Sequence, residues 1–426
     1  MVFRDQTRHT VQKALAHQRA SRLPSTPQWS PDVSSRHSFL SLYVSTYSRG
    51  FGTPLQALLK DYDPNGHLQS CVDAVGLAFM AFQLNRQDLI PLASQHYLKA
   101  IQRLAMVLRS SMQGSSDAAN QSLSDVTLQS VLLLDLYEKM SYQYQQLSEY
   151  PGLPLSHIQG ALSIVQSRPR GDFSDPTMQQ LAARTVFALA LSCGAAGKTM
   201  PESLVRLYND LDTYVRGPLW TLTGLFIRLI DFQVAARAAK LELREILKRA
   251  KDFRGELSAA QNNIPRSWQP RRIHTNEAFV FNGYYDVYPG HDLPQTFNGY
   301  RMLRLGVCGL LQKFVPSTEV AEEITQITRE ICASVPHITL PTVKPQNTLP
   351  FSPLQILQGS GLLSALYAAA QTTEDPLMRA WILHTLTWLA DRGVKSAQTV
   401  AYIIKSLPEM NQWDVFSLVG NYASLA

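Results

Sequence analysis

The chain has 426 residues, of which 45% are hydrophobic and 17% are charged, and its formal net charge at pH 7 is +6. This apolar content is enough to bury a large core, and so mild a charge excludes a strongly basic protein whose composition alone demands an acidic partner. The four cysteines are scattered along the chain: Cys71, Cys193, Cys308 and Cys332. Their spacing suggests neither a metal clip nor a disulfide framework, which fits a reducing, intracellular compartment.

Residues 1–36 are predicted to form a basic N-terminal segment and a linker. Residues 1–22 carry five arginines and lysines against one acid, Asp5, and they contain no apolar run typical of a secretion signal. Two interpretations stay open for them, a solvated helix and a basic arm close to nucleic acid. Residues 23–36 hold three prolines and four serines, a composition typical of a linker.

Residues 37–426 are predicted to form a large all-α domain of antiparallel helices, because no alternation of strands and helices is visible. The predicted helices, in chain order, are 37–49, 54–59, 67–84, 87–109, 124–140, 156–168, 175–193, 201–211, 219–260, 295–314, 318–334, 353–370, 376–391 and 396–407. The longest apolar stretches, near 186–196 and 361–370, are too short to span a bilayer. We therefore expect no membrane partner.

The helix 124–140 is predicted to lie at the centre of the core. Apolar residues recur in it at four-residue spacing: Leu128, Leu132, Leu136 and Met140. A stripe of this kind needs helical neighbours. Asp135 and Lys139 have the spacing of a helical ion pair, which we expect on the face that stays exposed to solvent.

Residues 262–294 interrupt the helical pattern with four prolines, and a sub-division of the domain is possible there. Asn282-Gly283 lies between aromatic and β-branched residues, which is a hairpin signal. The sequence therefore predicts a short hairpin near 279–286.

Three short motifs resemble known sites but are each incomplete. Residues 61–66 copy the start of a calcium loop, yet Val72 stands where the bidentate glutamate belongs, so we interpret them as a turn. Residues 192–199 nearly spell a P-loop, with Ser192 in place of the first glycine. Residues 359–364 lack the third glycine of a dinucleotide fingerprint. No catalytic, cofactor-binding or metal-binding residue is predicted, and His157 and His384 are interpreted as hydrogen-bonded core histidines.

Several segments, in the same order along the chain, resemble the regulatory region of fungal binuclear zinc-cluster transcription factors. They are FLSLYV (39–44), TLQSVLLLDLYE (127–138), HIQGA (157–161), YDVYP (285–289), FNGYRMLR (297–304) and residues 392–407. The resemblance extends from about residue 2 to 405. It implies a large all-helical regulatory domain, which agrees with the helical periodicity.

The sequence departs from this family at one decisive feature. Such factors bind DNA through six cysteines that hold two zinc ions near the N-terminus, and this sequence has no such cluster. Two explanations stay open, a fragment that starts at an internal methionine and a natural relative without the cluster. Zinc is therefore expected as a cofactor only if a cluster precedes this sequence, and no residue is assigned to DNA binding.

Four residues in the matching segments invite a functional interpretation: His157, Gly160, Asn298 and Arg301. Structural roles are preferred for them over ligand contact. Gly160 would allow close helix approach, Asn298 would satisfy backbone groups, and Arg301 would pair with a buried acid.

The resemblance implies a nuclear transcriptional regulator that controls a metabolic or secondary-metabolite gene set and is not an enzyme. Its expected partners are proteins of the transcription machinery or a related regulator, with a small-molecule effector also open, and DNA is reached only indirectly or through an absent zinc cluster. Two alternatives remain. One is a clusterless scaffold that pairs with a DNA-binding relative, and the other is an all-α enzyme.

Overall fold

In the computed structural model, the residues described are 29–59, 66–111, 117–142, 155–168 and 172–419. Across these ranges the chain is all-α with one two-stranded antiparallel sheet, so the predicted fold class is confirmed. The predictions for the basic segment 1–22 and for the turn at 61–65 lie outside the described residues.

The helices that precede the sheet are α1 (Pro31–Ser38), α2 (Arg49–Leu58), α3 (His67–Ala78), α4 (Ile90–Ser111), α5 (Asp117–Tyr142), α6 (Ser156–Gln166), α7 (Pro176–Ala195), α8 (Glu202–Leu211), α9 (Pro218–Arg237) and α10 (Leu243–Asn262). Helices α1 and α3 continue without a break as π-helical turns, Phe39–Tyr47 and Phe79–Gln83. The predicted linker is wrong from Pro31 onward, because proline at the first helical position and Asp32 in the first turn both favour a helix start.

Helix α5 has the central position predicted for it. It contacts α3, α4, α6 and α7, and its four-residue stripe is buried: Leu128, Leu132, Leu136 and Met140. The predicted start at residue 124 is wrong, since the helix already begins at Asp117. Ala118 and Ala119, the best helix formers, follow that residue directly.

The predicted helix 219–260 is two helices, α9 and α10. The chain turns between them at Ala239, whose φ is 51°, and the Lys240 N–H donates to the Ala235 carbonyl at 3.1 Å. This left-handed turn lets α10 lie back against α9 and α11. The rings of Phe232 and Phe253 meet across the first contact, with centroids 5.5 Å apart.

The sheet pairs β1 (Arg271–His274) with β2 (Tyr284–Val287). A short hairpin is present, but its predicted position is only half right, because β1 lies before residue 279. Asn282 and Gly283 have φ values of 57° and 71° and come directly before β2, instead of forming a two-residue turn. Their left-handed conformation ends a longer connection, closed by the Thr275 N–H donating to the Gly283 carbonyl at 2.9 Å.

The helices after the sheet are α11 (Leu293–Phe314), α12 (Thr318–Ser334), α13 (Pro336–Thr339), α14 (Pro353–Ser360), α15 (Leu363–Thr372), α16 (Pro376–Asp391), α17 (Ser396–Ser406) and α18 (Gln412–Val419). The predicted bounds of α12 and α16 are confirmed. Local caps explain this, because the Ser317 hydroxyl accepts from the Val320 N–H and the Asp375 carboxylate accepts from the Leu377 N–H. The predicted helix 353–370 breaks at Gly361, and α18 is an addition to the prediction.

Buried apolar side chains from Phe39 to Val419 form one main cluster, to which helices before and after the sheet in the chain both contribute. A small second cluster, made by Val280, Tyr285 and Leu340, lies at the hairpin. The boundaries of the predicted domain stay a prediction.

Helix α9 is long and apolar enough to cross a membrane, judged by its length and composition alone. It is longer than the two apolar stretches near 186–196 and 361–370, for which no membrane span is expected. Buried core helices satisfy the same criterion. The buried apolar side chains of α9, from Trp220 to Phe232, belong to the main core cluster.

Candidate functional site

Among the buried and half-buried polar side chains of the described residues, three groups contain residues singled out from the sequence. The first joins α4, α5 and α6 through Tyr97, Glu138 and His157. The Tyr97 hydroxyl donates to Glu138 Oε1 at 2.7 Å and lies 2.9 Å from His157 Nε2. His157 Nε2 is itself 3.2 Å from Glu138 Oε1, and both of these side chains are 19% exposed. Three residues from distant parts of the sequence thus share one hydrogen-bonded triangle close to the surface.

The neighbours of Glu138 determine whether its carboxyl group is ionised. Burial raises the pKa of Glu138, but hydrogen bonds and charge from His157 and a hydrogen bond from Tyr97 outweigh this, so the net pKa lies below the ordinary value. Glu138 therefore stays ionised at neutral pH. Stacking also holds the Tyr97 ring in place, because its centroid lies 4.2 Å from that of Tyr137 and the two rings are nearly parallel.

The second polar group is the pair of Asp135 and Lys139 on α5. The expectation that this pair faces solvent is wrong, since the two side chains are only 3% and 2% exposed. Arg184 of α7 is also buried beside them and hydrogen-bonds Tyr43. Burial raises the pKa of Asp135 and lowers that of Lys139. Periodicity predicts the spacing of the pair but not the neighbour that covers it.

The third polar group lies where the hairpin meets α11 and α12, and Arg301 is its centre. Arg301 is 2% exposed. Its Nη1 donates to the Tyr288 hydroxyl and to Asn298 Oδ1, each at 2.9 Å, and its Nε donates to Glu330 at 3.1 Å. Burial lowers the pKa of Arg301, but the neighbouring Tyr288 and Glu330 raise it above the ordinary value, so the guanidinium stays charged in the interior.

Asn298 extends this network toward α12. Its Nδ2 donates to the Ser334 hydroxyl at 3.1 Å, which donates in turn to the Ile331 carbonyl at 2.7 Å. The Phe297 ring covers the other side, with its centroid 5.6 Å from Arg301 Cζ. Both the amide oxygen and the amide nitrogen of Asn298 thereby have hydrogen-bond partners within the protein.

His337 on α13 belongs to the same polar group as Arg301, because both contact Tyr288. It is fully buried, and its Nδ1 accepts a hydrogen bond from the Tyr288 N–H at 3.1 Å. Its Nε2 contacts the Nζ of Lys344. Burial, with the charges of Lys344 and His291, lowers the pKa of His337 to about 3. Burial also lowers the pKa of Lys344 to about 8, against the opposing charge of Asp292.

The loop that carries Lys344 is fixed by amide side chains. Asn347 Nδ2 donates to the carbonyls of His337 and Leu340 at 3.1 and 2.8 Å. Gln355 Nε2 donates to the Ile338 carbonyl at 3.1 Å. Lys344 is consequently held beside His337 while remaining partly exposed. No sequence motif marks His337 or Lys344, because the contacts that define them depend on the folded loop.

The four residues singled out by the resemblance have different outcomes. Arg301 pairs with Glu330, so the predicted ion pair is confirmed, although this acid is half-buried instead of buried. Asn298 binds side chains instead of backbone groups, and a Cβ on Gly160 would have open space within 4 Å, so these two structural interpretations are wrong. His157 is hydrogen-bonded but half-buried. His384 is exposed, which contradicts its interpretation as a core histidine.

The incomplete motifs occupy ordinary helical positions. Residues 192–195 form the last turn of α7, and Gly197 with φ of 61° follows as its C-terminal stop. Residues 359–364 connect α14 to α15. Within the ranges that the structure describes, no group of three histidine, cysteine or acidic side chains is placed to hold a metal ion. All four cysteines are buried and free, and burial raises the pKa of Cys71 and Cys308 to about 12.

No family model, curated protein or solved structure matches this chain.

Proposed function

We propose that this chain is a fungal transcriptional regulator that acts through its helical regulatory domain, by contacts with other proteins in the nucleus. One observation carries the proposal. The segments that resemble the zinc-cluster family pair with each other through polar side chains, Glu138 of one segment with His157 of the next, and Tyr288 with Arg301. Segments that carry the resemblance therefore contact one another in the folded chain, as parts of one domain would.

On this proposal the chain controls the transcription of a metabolic or secondary-metabolite gene set and catalyses no reaction itself. Its partners are the transcription machinery or a related regulator, and a small-molecule effector would adjust those contacts. The buried Arg301 network favours such a role, because it fixes the angle at which α11 and α12 present their outer faces.

The experiment is a gene deletion complemented by three alleles, each carrying a fluorescent tag at the C-terminus. The alleles are the natural chain, Arg301→Met, and the matched surface control Arg206→Ala, whose side chain is exposed on α8. We expect nuclear fluorescence and restored transcript levels for the first and third alleles, and lost regulation for Arg301→Met.

A tagged chain that stays outside the nucleus, with transcript levels unchanged by the deletion, would refute the proposal. Affinity capture from the same strains tests the scaffold alternative. Recovery of a six-cysteine relative, with regulation lost when that relative is deleted, would identify the chain as its scaffold.

A further inference from the structure

The hydrogen bonds of His337 determine which of its ring nitrogens carries the proton. Its Nδ1 receives the Tyr288 backbone N–H at 3.1 Å, so Nδ1 is the acceptor. A neutral imidazole has one donor and one acceptor nitrogen, and burial, the largest cause of the lowered pKa of His337, keeps this ring neutral. The proton must then lie on Nε2.

This assignment has a consequence for Lys344. Its Nζ contacts His337 Nε2, and a protonated Nε2 needs a lone pair opposite. An ammonium group has three donors and no lone pair, whereas a neutral amine has one. The contact is therefore a hydrogen bond only when Lys344 is deprotonated. The other charged groups that act on this pair are Asp292 and His291, and the burial of Lys344 outweighs the attraction of Asp292.

We propose that Lys344 is a site of imine formation with small aldehydes, through the fraction of its side chain that is a free amine at neutral pH. His337 holds the free base of the lysine in place by donating to its nitrogen lone pair. Partial exposure of Lys344 leaves the amine open to a small molecule. This chemistry does not require that the chain regulates transcription.

The reaction balances without an oxidant or a reductant. The Nζ lone pair attacks the aldehyde carbon, and a proton from the nitrogen passes to the aldehyde oxygen to give a carbinolamine. Loss of that hydroxyl as water, with the second nitrogen proton, leaves the carbon–nitrogen double bond. Lys344 loses its hydrogen bond from His337 as it reacts, because the aldehyde carbon and the His337 Nε2–H compete for the same Nζ lone pair.

The test labels the full chain with a limiting amount of pyridoxal 5′-phosphate, reduces the imines with borohydride, and maps the modified peptides. An amine with a pKa of about 8 is roughly 20% free base at pH 7.4, against about 0.1% for an ordinary lysine. Burial offsets part of this advantage by limiting access. We therefore expect Lys344 to be labelled at least about tenfold faster than an exposed lysine such as Lys240.

The pH profile of the natural chain decides the outcome without any variant. Labelling of Lys344 should rise with a midpoint close to 8. A midpoint near that of an ordinary lysine, or labelling no faster than that of Lys240, would overturn the proposal. Two variants refine it, since Lys344→Met should lose the labelled peptide, and His337→Gln should move the midpoint upward by offering a carbonyl acceptor to the ammonium form.

Discussion

Replacing Arg301 with methionine tests how much the network between α11 and α12 contributes to the free energy of unfolding. Methionine keeps most of the apolar stem but removes every donor of the guanidinium. Tyr288 and Asn298 are both about 3% exposed, so their oxygens would lose a partner in the interior. Glu330 retains 20% of its side-chain exposure and regains water more easily.

These contacts give an expected magnitude for the loss. A buried acceptor left without its donor costs about 1–3 kcal/mol, and breaking a buried ion pair costs about 3–5 kcal/mol before water is allowed to reach the remaining charge. Because Glu330 is partly exposed, we place the whole loss at the lower end, about 4 kcal/mol. This is a large fraction of the stability of an ordinary domain.

The assay is urea unfolding at pH 7 followed by circular dichroism. Arg206→Ala is the matched control, because its ion pair with Glu202 is largely exposed and should contribute under about 0.5 kcal/mol. The double variant Arg301→Met with Glu330→Gln should be less destabilised than the two single changes added together. A loss below about 1 kcal/mol for Arg301→Met, with an unchanged urea slope, would refute this account of the network.

Three further predictions concern glycines and titrating groups. Gly194→Ala should destabilise the chain by about 1–3 kcal/mol in urea unfolding, because its Cβ would lie 2.9 Å from the Phe226 ring, whereas Gly160→Ala should stabilise it by about 0.5–1 kcal/mol. The pKa of Glu138 is lowered, so its contribution is complete above the ordinary glutamate pKa and is lost as the pH falls through the lower folded value; Glu138→Gln should flatten that acid limb. His337 has a folded pKa of about 3, so the free energy of unfolding should rise between about pH 3 and 6.5, and His337→Asn should remove that rise.

The helices could be predicted wherever their signals are local. Ser317 and the Asp375-Pro376 pair are start signals within the sequence itself, so the bounds of α12 and α16 follow from it. The break at Ala239 could not be predicted, because alanine favours a helix and only packing of α10 against its neighbours forces a left-handed residue there.

The polar groups could be predicted only in part. Arg301 is recognisable as a buried-pair candidate, but Glu330 lies on another helix, and no single sequence gives the distance between them. The triangle of Tyr97, Glu138 and His157 joins three helices in the same way. For Asp135 and Lys139, the sequence predicts the spacing of the pair correctly but its exposure to solvent wrongly.

The buried charges on α5 restrict how that helix can be aligned with its neighbours. Asp135 and Lys139 lie one turn apart beside Arg184 of α7, all within the core. Sliding α5 by one turn would leave apolar contacts of similar quality, since leucines repeat at that same interval, but it would move both Asp135 and Lys139 away from their native positions beside Arg184 of α7. The charges thus distinguish the native alignment from shifted ones that the leucine repeat alone would tolerate.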